Sequence, residues 1–402
     1  GNPAAQAPVD GAAAKVCARL LTSAGTAHDS FTEHKNKRSN NMNQAKPIAM
    51  TGGGSAGHVI PALPVADLLL AKGYRVHFIG TRSGLEQGYL GDRELIFHGI
   101  CAGKLRRYFS LQNLTDVFRI GWAVIESVVL LLRIRPSVLF SKGGFVSLPP
   151  VFAAWLLRIP VVAHESDLTP GLANRLSLPF IRTLCTSFAD TRFAGFSGRR
   201  VLTGTPVRRG LLDGDAATGR RALGVESDGG QKILLVTGGS LGAENLNRII
   251  RDNLEALTER FFVVHVCGVG KTEDMEREGY LQLEFVDEGW GDLLAAADLV
   301  ISRAGANALF EWVALAKPNV LVPLPLAGSR GDQIANAQYA QEHGWSEVLE
   351  EQDVTPLTLL QALERLERQG AAYREAMALL DSASAADRLV DEIQRLVDDQ
   401  SA

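Results

Sequence analysis

The chain has 402 residues, 46% apolar and 21% charged, with a net charge of −4. At roughly 100–200 residues per domain, this length calls for two domains with cores large enough to need no staples. The near-neutral balance gives no global reason for nucleic-acid binding, and four dispersed cysteines (Cys17, Cys101, Cys185 and Cys267) argue against a zinc ribbon or disulfide framework and fit a reducing compartment.

Residues 1–45 are rich in Ala, Ser, Asn, Gly and Thr and hold no lasting period. They read as a disordered leader, an expression remnant or an upstream extension, with Met42 a plausible start of the globular part. "KVCARLLTSAG" is too short for a secretory signal and carries Arg19. No apolar run reaches the ~18 residues of a membrane span.

From Pro47 the pattern is regular. "KPIAMTGGGSAGH" reads as a buried strand, a glycine turn and a helix starting near His58, whose apolar face is Val59, Ala62, Leu63, Ala66, Leu69 and Leu70 and which stops at Gly73. "RVHFIGT" is the next strand. "GWAVIESVVLLLRIRP", "SVLFS", "PPVFAAWLLRI" and "PVVAHES" follow as helix, strand, helix and strand. The pattern restarts at 231 with "QKILLVTGGSLGAENLNRIIRDNL". After it come strands at "RFFVVHVCG" and "GYLQLEFVD", a short helix at "WGDLLAAAD", and strand, loop, helix and strand in "LVISRAGANALFEWVALAKPNVLVPLP". Alternation with short connections implies two α/β, Rossmann-like domains facing a cleft, each with a mostly parallel sheet. The expected boundaries are 46–206 and 207–375, with a C-terminal helix over 376–399 packing back on the first domain.

In such sheets ligands lie beyond the carboxyl ends of the strands. The first post-strand loop matches G-x-G-x-x-G, but its second strand ends in Gly80, Thr81 and Arg82, without the acid that a dinucleotide site places on its ribose. That disfavours a dehydrogenase and leaves a phosphate- or sugar-facing loop or a plain tight turn. His58, at the expected helix start, would be kept neutral by the helix dipole and suits a general base, although a lone histidine there is more often structural. "SKGGFVSLPP" lacks the order of a Walker loop. In "HESDLTPGLANR", His164, Glu165 and Asp167 lack the spacing of a helical zinc motif, so polar contacts to a sugar are favoured over metal. "TGGSLGAENLN" offers Ser240 and backbone N–H groups to a diphosphate. Glu311, after "SRAGANAL", could accept from two ribose hydroxyls, with Arg330 and Gln333 on a later loop. "DGD" at 213–215 reads as a turn.

Taken in order, "GGGSAGHVIPAL", "GKLRRYFSLQN", "SKGGFVSLP", "HESDLTPGLANR", "TGTPVR", "TGGSLGAENLN" and "SRAGANALFE…GDQIANA" closely resemble the MurG family, over roughly 47–395. The resemblance implies a GT-B fold and an inverting transfer that needs no metal or other cofactor. N-acetylglucosamine would pass from UDP-GlcNAc to the muramyl C4 hydroxyl of undecaprenyl-pyrophosphoryl-MurNAc-pentapeptide (lipid I to lipid II) in peptidoglycan synthesis. Carried over, the family's donor-substrate contacts fall on Ser55, Ala56, Gly57, Asp167, Arg208, Ser240, Val286, Ala306, Asn307, Ala308, Leu309, Phe310, Glu311 and Gln333. Glu311 would hold the ribose and Val286 would lie near the uracil. His58 takes the place of the proposed general base, and Glu165 is a second catalytic candidate. Ser55 stands where many members have threonine. Asp167 replaces an amide that touches the donor.

A lipid acceptor implies a peripheral protein on the cytoplasmic side of the cell membrane. Lys104, Arg106 and Arg107 beside Tyr108 and Phe109 suit an anionic bilayer surface. The helix at "GWAVIESVVLLL" either adds apolar surface to that patch or is a plain core helix. Expected partners are the donor, lipid I, this surface and other cell-wall synthesis proteins, not nucleic acid. The alternatives are a diacylglycerol sugar transferase of the same fold and a non-catalytic nucleotide-sugar binder in which His58 and Glu165 would be expendable.

Overall fold

The computed structural model describes residues 46–84, 86–102, 112–225, 231–239, 242–286, 289–327 and 329–400, with backbone alone for 112–118. The leader, Ser240 and the basic patch Lys104, Arg106, Arg107 and Phe109 lie outside the described residues. The chain divides into two compact units. Among the described residues, one contains 46–208 together with 381–400, and the other runs from Arg209 to Leu380.

The first unit is built on a seven-stranded sheet in the order β3-β2-β1-β4-β5-β6-β7, with every pairing parallel. The strands are β1 Pro47–Thr51, β2 Arg75–Thr81, β3 Ile96–Ile100, β4 Val138–Ser141, β5 Val161–Glu165, β6 Thr183–Thr186 and β7 Arg199–Leu202. β4 and β5 are buried along their whole length, so they open on apolar runs, Val138–Phe140 and Val161–Ala163, rather than alternation. One face is covered by the helices Leu63–Ala71 and Ala385–Asp399, whose Leu69, Leu389, Ile393 and Leu396 share a core with Met50 and Phe78. The helices Gln112–Ile134 and Leu148–Leu156 cover the other, where Ala123, Leu131, Val151 and Ala154 meet Ala49 and Leu139.

The helical run at the first loop begins at Ala56, two residues before His58. It is α-helical to Val59, a 3₁₀ turn over Ile60–Ala62, then α-helical again over Leu63–Ala71. Pro61 and Pro64 cannot donate to the preceding turn, which accounts for the interruption. The run ends in a Schellman motif: Tyr74 N–H donates to Leu69 O (3.0 Å) and Gly73 N–H to Leu70 O (2.9 Å), with Gly73 at φ 85°. The C-terminal helix also differs from the single segment 376–399. Residues 376–378 close the helix Pro356–Ala378 of the other unit, and the last helix starts at Ala385. Between them Ser384 Oγ donates to Asp381 Oδ1 (2.7 Å), the local side-chain bonding that competes with a helix.

The second unit carries a six-stranded parallel sheet in the order β10-β9-β8-β11-β12-β13. Its strands are β8 Lys232–Thr237, β9 Phe261–Val266, β10 Tyr280–Leu283, β11 Leu299–Ser302, β12 Asn319–Leu321 and β13 Glu347–Val348. The helix Pro356–Ala378 starts with a capping box between Thr355 and Thr358. It sets Leu359, Leu363 and Leu366 against Leu234, Ile301 and Val320. "DGD" lies ahead of the helix Ala216–Leu223, where the Asp215 carboxylate accepts from Thr218 N–H (2.7 Å) as an N-cap.

Candidate active site

Each sheet reverses its strand order once, between β1 and β4 in the first and between β8 and β11 in the second. A doubly wound sheet opens a crevice at that point, beyond the carboxyl ends of its strands. The loops concerned are 52–55 and 142–144 in the first unit, and 238–243 and 303–305 in the second.

In the first unit the two loops interlock through glycine. Gly144 has φ 84° and ψ 162°, a conformation only glycine adopts readily. A Cβ on it would stand 2.1 Å from Gly53 O and 2.9 Å from His58 Cδ2, so the backbone of one loop and the imidazole of the other lie directly against Gly144. Gly54, at φ 86°, meets the Phe145 ring in the same way. Ser55 and Gly57 are exposed, and Ala56 and His58 half-buried.

Behind this loop stands Glu86, only 1% exposed. Its Oε1 accepts from Gly54 N–H (2.9 Å) and its Oε2 from Thr81 Oγ1 (2.7 Å). The sequence offered no reason to select it, because it lies 32 positions from Gly54 and outside any motif. Its effect is chemical as well as structural. A carboxylate already occupies the Gly54 N–H, so that amide is not available to a phosphate.

The loop after β5 is organised by Glu165. This carboxylate, 5% exposed, accepts from Asp167 N–H (3.1 Å), Gly171 N–H (2.9 Å) and Asn174 Nδ2 (2.9 Å). Asn174 also donates to His164 O (3.2 Å); it is a second site residue that sequence reasoning missed, although "PGLANR" contains it. His164 is fully buried, its Nε2 2.9 Å from Gly204 O. Burial, and then the charge of Lys142, hold its pKa well below the usual value, while the Gly204 carbonyl opposes this. Both side chains of "HE" are therefore engaged in holding loops. Arg208 ends the segment after β7 half-buried, and its Nε is enclosed with no acceptor among the described residues.

In the second unit, Gly239 (φ 86°) and Gly242 (φ 67°) shape the loop after β8. A Cβ on Gly242 would lie 2.0 Å from Cys267 O. The loop after β11 is fixed from below: Trp312 Nε1 donates to Ser302 Oγ (2.8 Å), Asn336 Nδ2 to Ala304 O (3.2 Å), and buried Arg303 to Val322 O (3.1 Å) and to Glu351. It leads into the helix Ala306–Ala314, whose N-cap Gly305 supplies no side chain. The first-turn N–H groups of such a helix have no acceptor within it and form a ready anion site.

Of the residues expected here, Asn307, Ala308 and Glu311 are half-buried. Ala306, Leu309 and Phe310 are buried, with Phe310 edge-on to Trp345, so their side chains belong to the core and only their backbone is left for a ligand. Val286 is buried just after β10. Gln333 Oε1 accepts from Leu324 N–H (3.0 Å), bracing the loop after β12. The expected residues thus separate by unit: Ser55 to Gly57, His58, Glu165, Asp167 and Arg208 in the first; Val286, Ala306 to Glu311 and Gln333 in the second.

Comparison with known proteins agrees with the two-sheet fold. Residues 48–185 match the glycosyltransferase family 28 N-terminal domain and residues 233–393 the family 28 C-terminal domain. A Clostridium kluyveri protein named UDP-N-acetylglucosamine–N-acetylmuramyl-(pentapeptide) pyrophosphoryl-undecaprenol N-acetylglucosamine transferase is 44% identical, over 87% of this chain and 99% of its own. A Legionella pneumophila protein of the same name is 46% identical, over 85% of this chain and 95% of its own. Among solved structures, Acinetobacter baumannii MurG superposes with a TM-score of 0.68 at 26% identity, over 87% of this chain and 99% of that one. With two parallel Rossmann-like sheets, both family 28 domains and such relatives along most of its length, the chain is a GT-B glycosyltransferase and belongs to the MurG family.

Proposed function

We propose that this chain transfers N-acetylglucosamine from UDP-GlcNAc to the C4 hydroxyl of the muramyl sugar in undecaprenyl-pyrophosphoryl-MurNAc-pentapeptide, with inversion and without a metal. The observation that carries the reading is 44% identity, over 87% of the chain, to a protein named for this transfer. The site chemistry supports it. His58 takes the proton of the acceptor hydroxyl as its oxygen bonds to the sugar C1, and the C1–O bond to UDP breaks with its electron pair leaving on the diphosphate. Arg208, Ser240 and the first-turn N–H groups of the helix Ala306–Ala314 stabilise that charge. Glu311 binds the ribose hydroxyls, Val286 lies beside the uracil, and Gln333 steadies the loop nearby. Ser55, Ala56, Gly57 and Asp167 contact sugar, while Glu165 acts by shaping its loop.

The enzyme works as a peripheral protein on an anionic membrane surface at its cytoplasmic side. Among the described residues no helix is long and apolar enough to cross a membrane. The helix Gln112–Ile134 exposes Trp122 (57%), Ile125 (55%), Val129 and Leu132 along one side, while Ala123 and Leu131 pack inward. An apolar stripe at that spacing on an exposed face suits insertion at a headgroup boundary.

The test is turnover of labelled UDP-GlcNAc with a lipid I analogue in EDTA. Wild type should turn over, and His58→Ala should lose at least ~100-fold, the scale of general-base catalysis. Absence of transfer to any muramyl acceptor would refute the assignment, whereas full activity in the variant would refute only the role of His58.

A further inference from the structure

Lys142 is the first residue after β4, and it is 1% exposed. Its backbone N–H donates to Thr51 O (2.8 Å) at the end of β1. Its Cβ lies 3.0 Å from where a Cβ on Gly52 would stand, so the side chain leaves directly beneath the loop that carries His58. At its far end Nζ donates to Ser166 Oγ (2.5 Å), and Ser166 is the residue between Glu165 and Asp167. One buried side chain thus links the loop after β1 to the loop after β5.

An ammonium enclosed in protein is unfavourable unless carboxylates lie close, and two carboxylates in three residues of one loop repel unless a cation lies close. Each solves the other's problem. Burial lowers the Lys142 pKa to about 8, and the Glu165 and Asp167 carboxylates oppose that fall. Glu165 is fixed in position by its three hydrogen bonds.

We propose that Lys142 is a positioning residue: its ammonium, seated on Ser166, is the counter-charge that lets the loop after β5 carry Glu165 and Asp167 together, and it fixes that loop against the one bearing His58. Its effect on turnover rests on the transferase reading above; its pairing with the loop carboxylates does not. Lysine is required here for charge, not bulk, so removing the charge on both sides should restore what removing it on one side loses.

The experiment is a double-mutant cycle with Lys142→Met and Asp167→Asn, read by melting and by steady-state kinetics. K142M should lower the melting midpoint and reduce kcat/KM by about 10²-fold, mainly in kcat, the scale of a small misplacement of reacting groups. The K142M/D167N double variant should regain most of the lost melting midpoint and return to within about threefold of D167N in kcat/KM. If K142M fails to fold, the double variant must fold. Additive effects in both readouts, wild-type behaviour of K142M, or a double variant as unstable as K142M would each overturn the proposal. Absence of wild-type turnover would remove the transferase reading while the melting cycle still decides on the charge pair.

Discussion

Replacing Gly144 with alanine should disable the first unit's loop pair without unfolding the unit. Two penalties follow from the geometry. The backbone at φ 84° and ψ 162° is one that only glycine adopts readily, and holding a Cβ there costs about 1–3 kcal/mol. The new methyl would also meet Gly53 O at 2.1 Å and His58 Cδ2 at 2.9 Å, distances that Cβ atoms do not tolerate. Relieving the first contact needs a shift of about 1 Å in the loop that carries His58, enough to reduce a reaction rate by about 10²-fold. Gly195 is the control. It also has a positive φ (76°), but a Cβ there would meet nothing within 4 Å. Gly195→Ala should therefore show backbone strain alone, with a small loss of melting midpoint and an unchanged kcat/KM. The assays are thermal melting and transfer from UDP-GlcNAc to a lipid I analogue. A Gly144→Ala variant with wild-type kcat/KM would refute the claim that the loops interlock here. Equal activity losses at Gly144 and Gly195 would show that strain, not the contact with His58, is responsible.

Other outcomes are equally specific. Glu86→Ala should destabilise the first unit by about 1–3 kcal/mol, the scale of losing the hydrogen bonds that Gly54 N–H and the Thr81 hydroxyl donate to a charged group, and denaturant melts would show it. His77, stacked on His98 with Nδ1 2.9 Å from its Nε2, has its pKa lowered to about 4 by burial, then by the charges of His98 and Arg75. A histidine whose folded pKa is depressed supports folding fully above ~6.5 and loses that support as pH falls towards 4. Wild type should therefore lose at most about 2 kcal/mol relative to His77→Phe between pH 7 and pH 5, with solvent screening reducing the figure, in paired urea titrations. Ile125→Glu and Leu132→Glu should reduce co-flotation with anionic vesicles while leaving the unfolding free energy within about 0.5 kcal/mol of wild type, as expected of exposed positions.

The strands built on apolar runs, such as β1, β4, β5, β8 and β11, were legible because a strand buried on both faces is mostly apolar. β3, β6, β7 and β13 were not. β7 opens with two exposed arginines, the composition that protects a sheet edge and masks its strand character. β3 holds His98 and Gly99, and β13 has two residues. The candidate loops were legible for a related reason: glycine clusters directly after buried strands are where a backbone can turn sharply and a ligand can approach it closely. Glu86, Asn174 and the burial of Lys142 were not, because each acts through a contact that only the folded sheet creates. The same limit applies to Leu309 and Phe310. A motif names them as contact residues, yet their side chains face the core and only their backbone is left for a ligand.

The loops after β1 and after β11 differ in what stands behind them, and this bears on which chemistry each serves. The loop after β1 has a buried carboxylate on its Gly54 N–H. A diphosphate brought to that amide would displace or repel Glu86, so the geometry favours an uncharged partner such as a sugar hydroxyl. The loop after β11 opens into a nine-residue helix whose N-cap is glycine and whose first turn carries no acidic side chain. Charge developing on a leaving diphosphate is stabilised at such an end. On the proposed reading, the first unit receives the acceptor hydroxyl beside His58 and the second receives the departing UDP. Glu86→Gln separates this account from one in which both loops bind phosphate. Removing the charge behind the first loop should not tighten UDP binding if the diphosphate resides elsewhere. A Kd for UDP that falls severalfold in this variant would place phosphate at the first loop and refute the division.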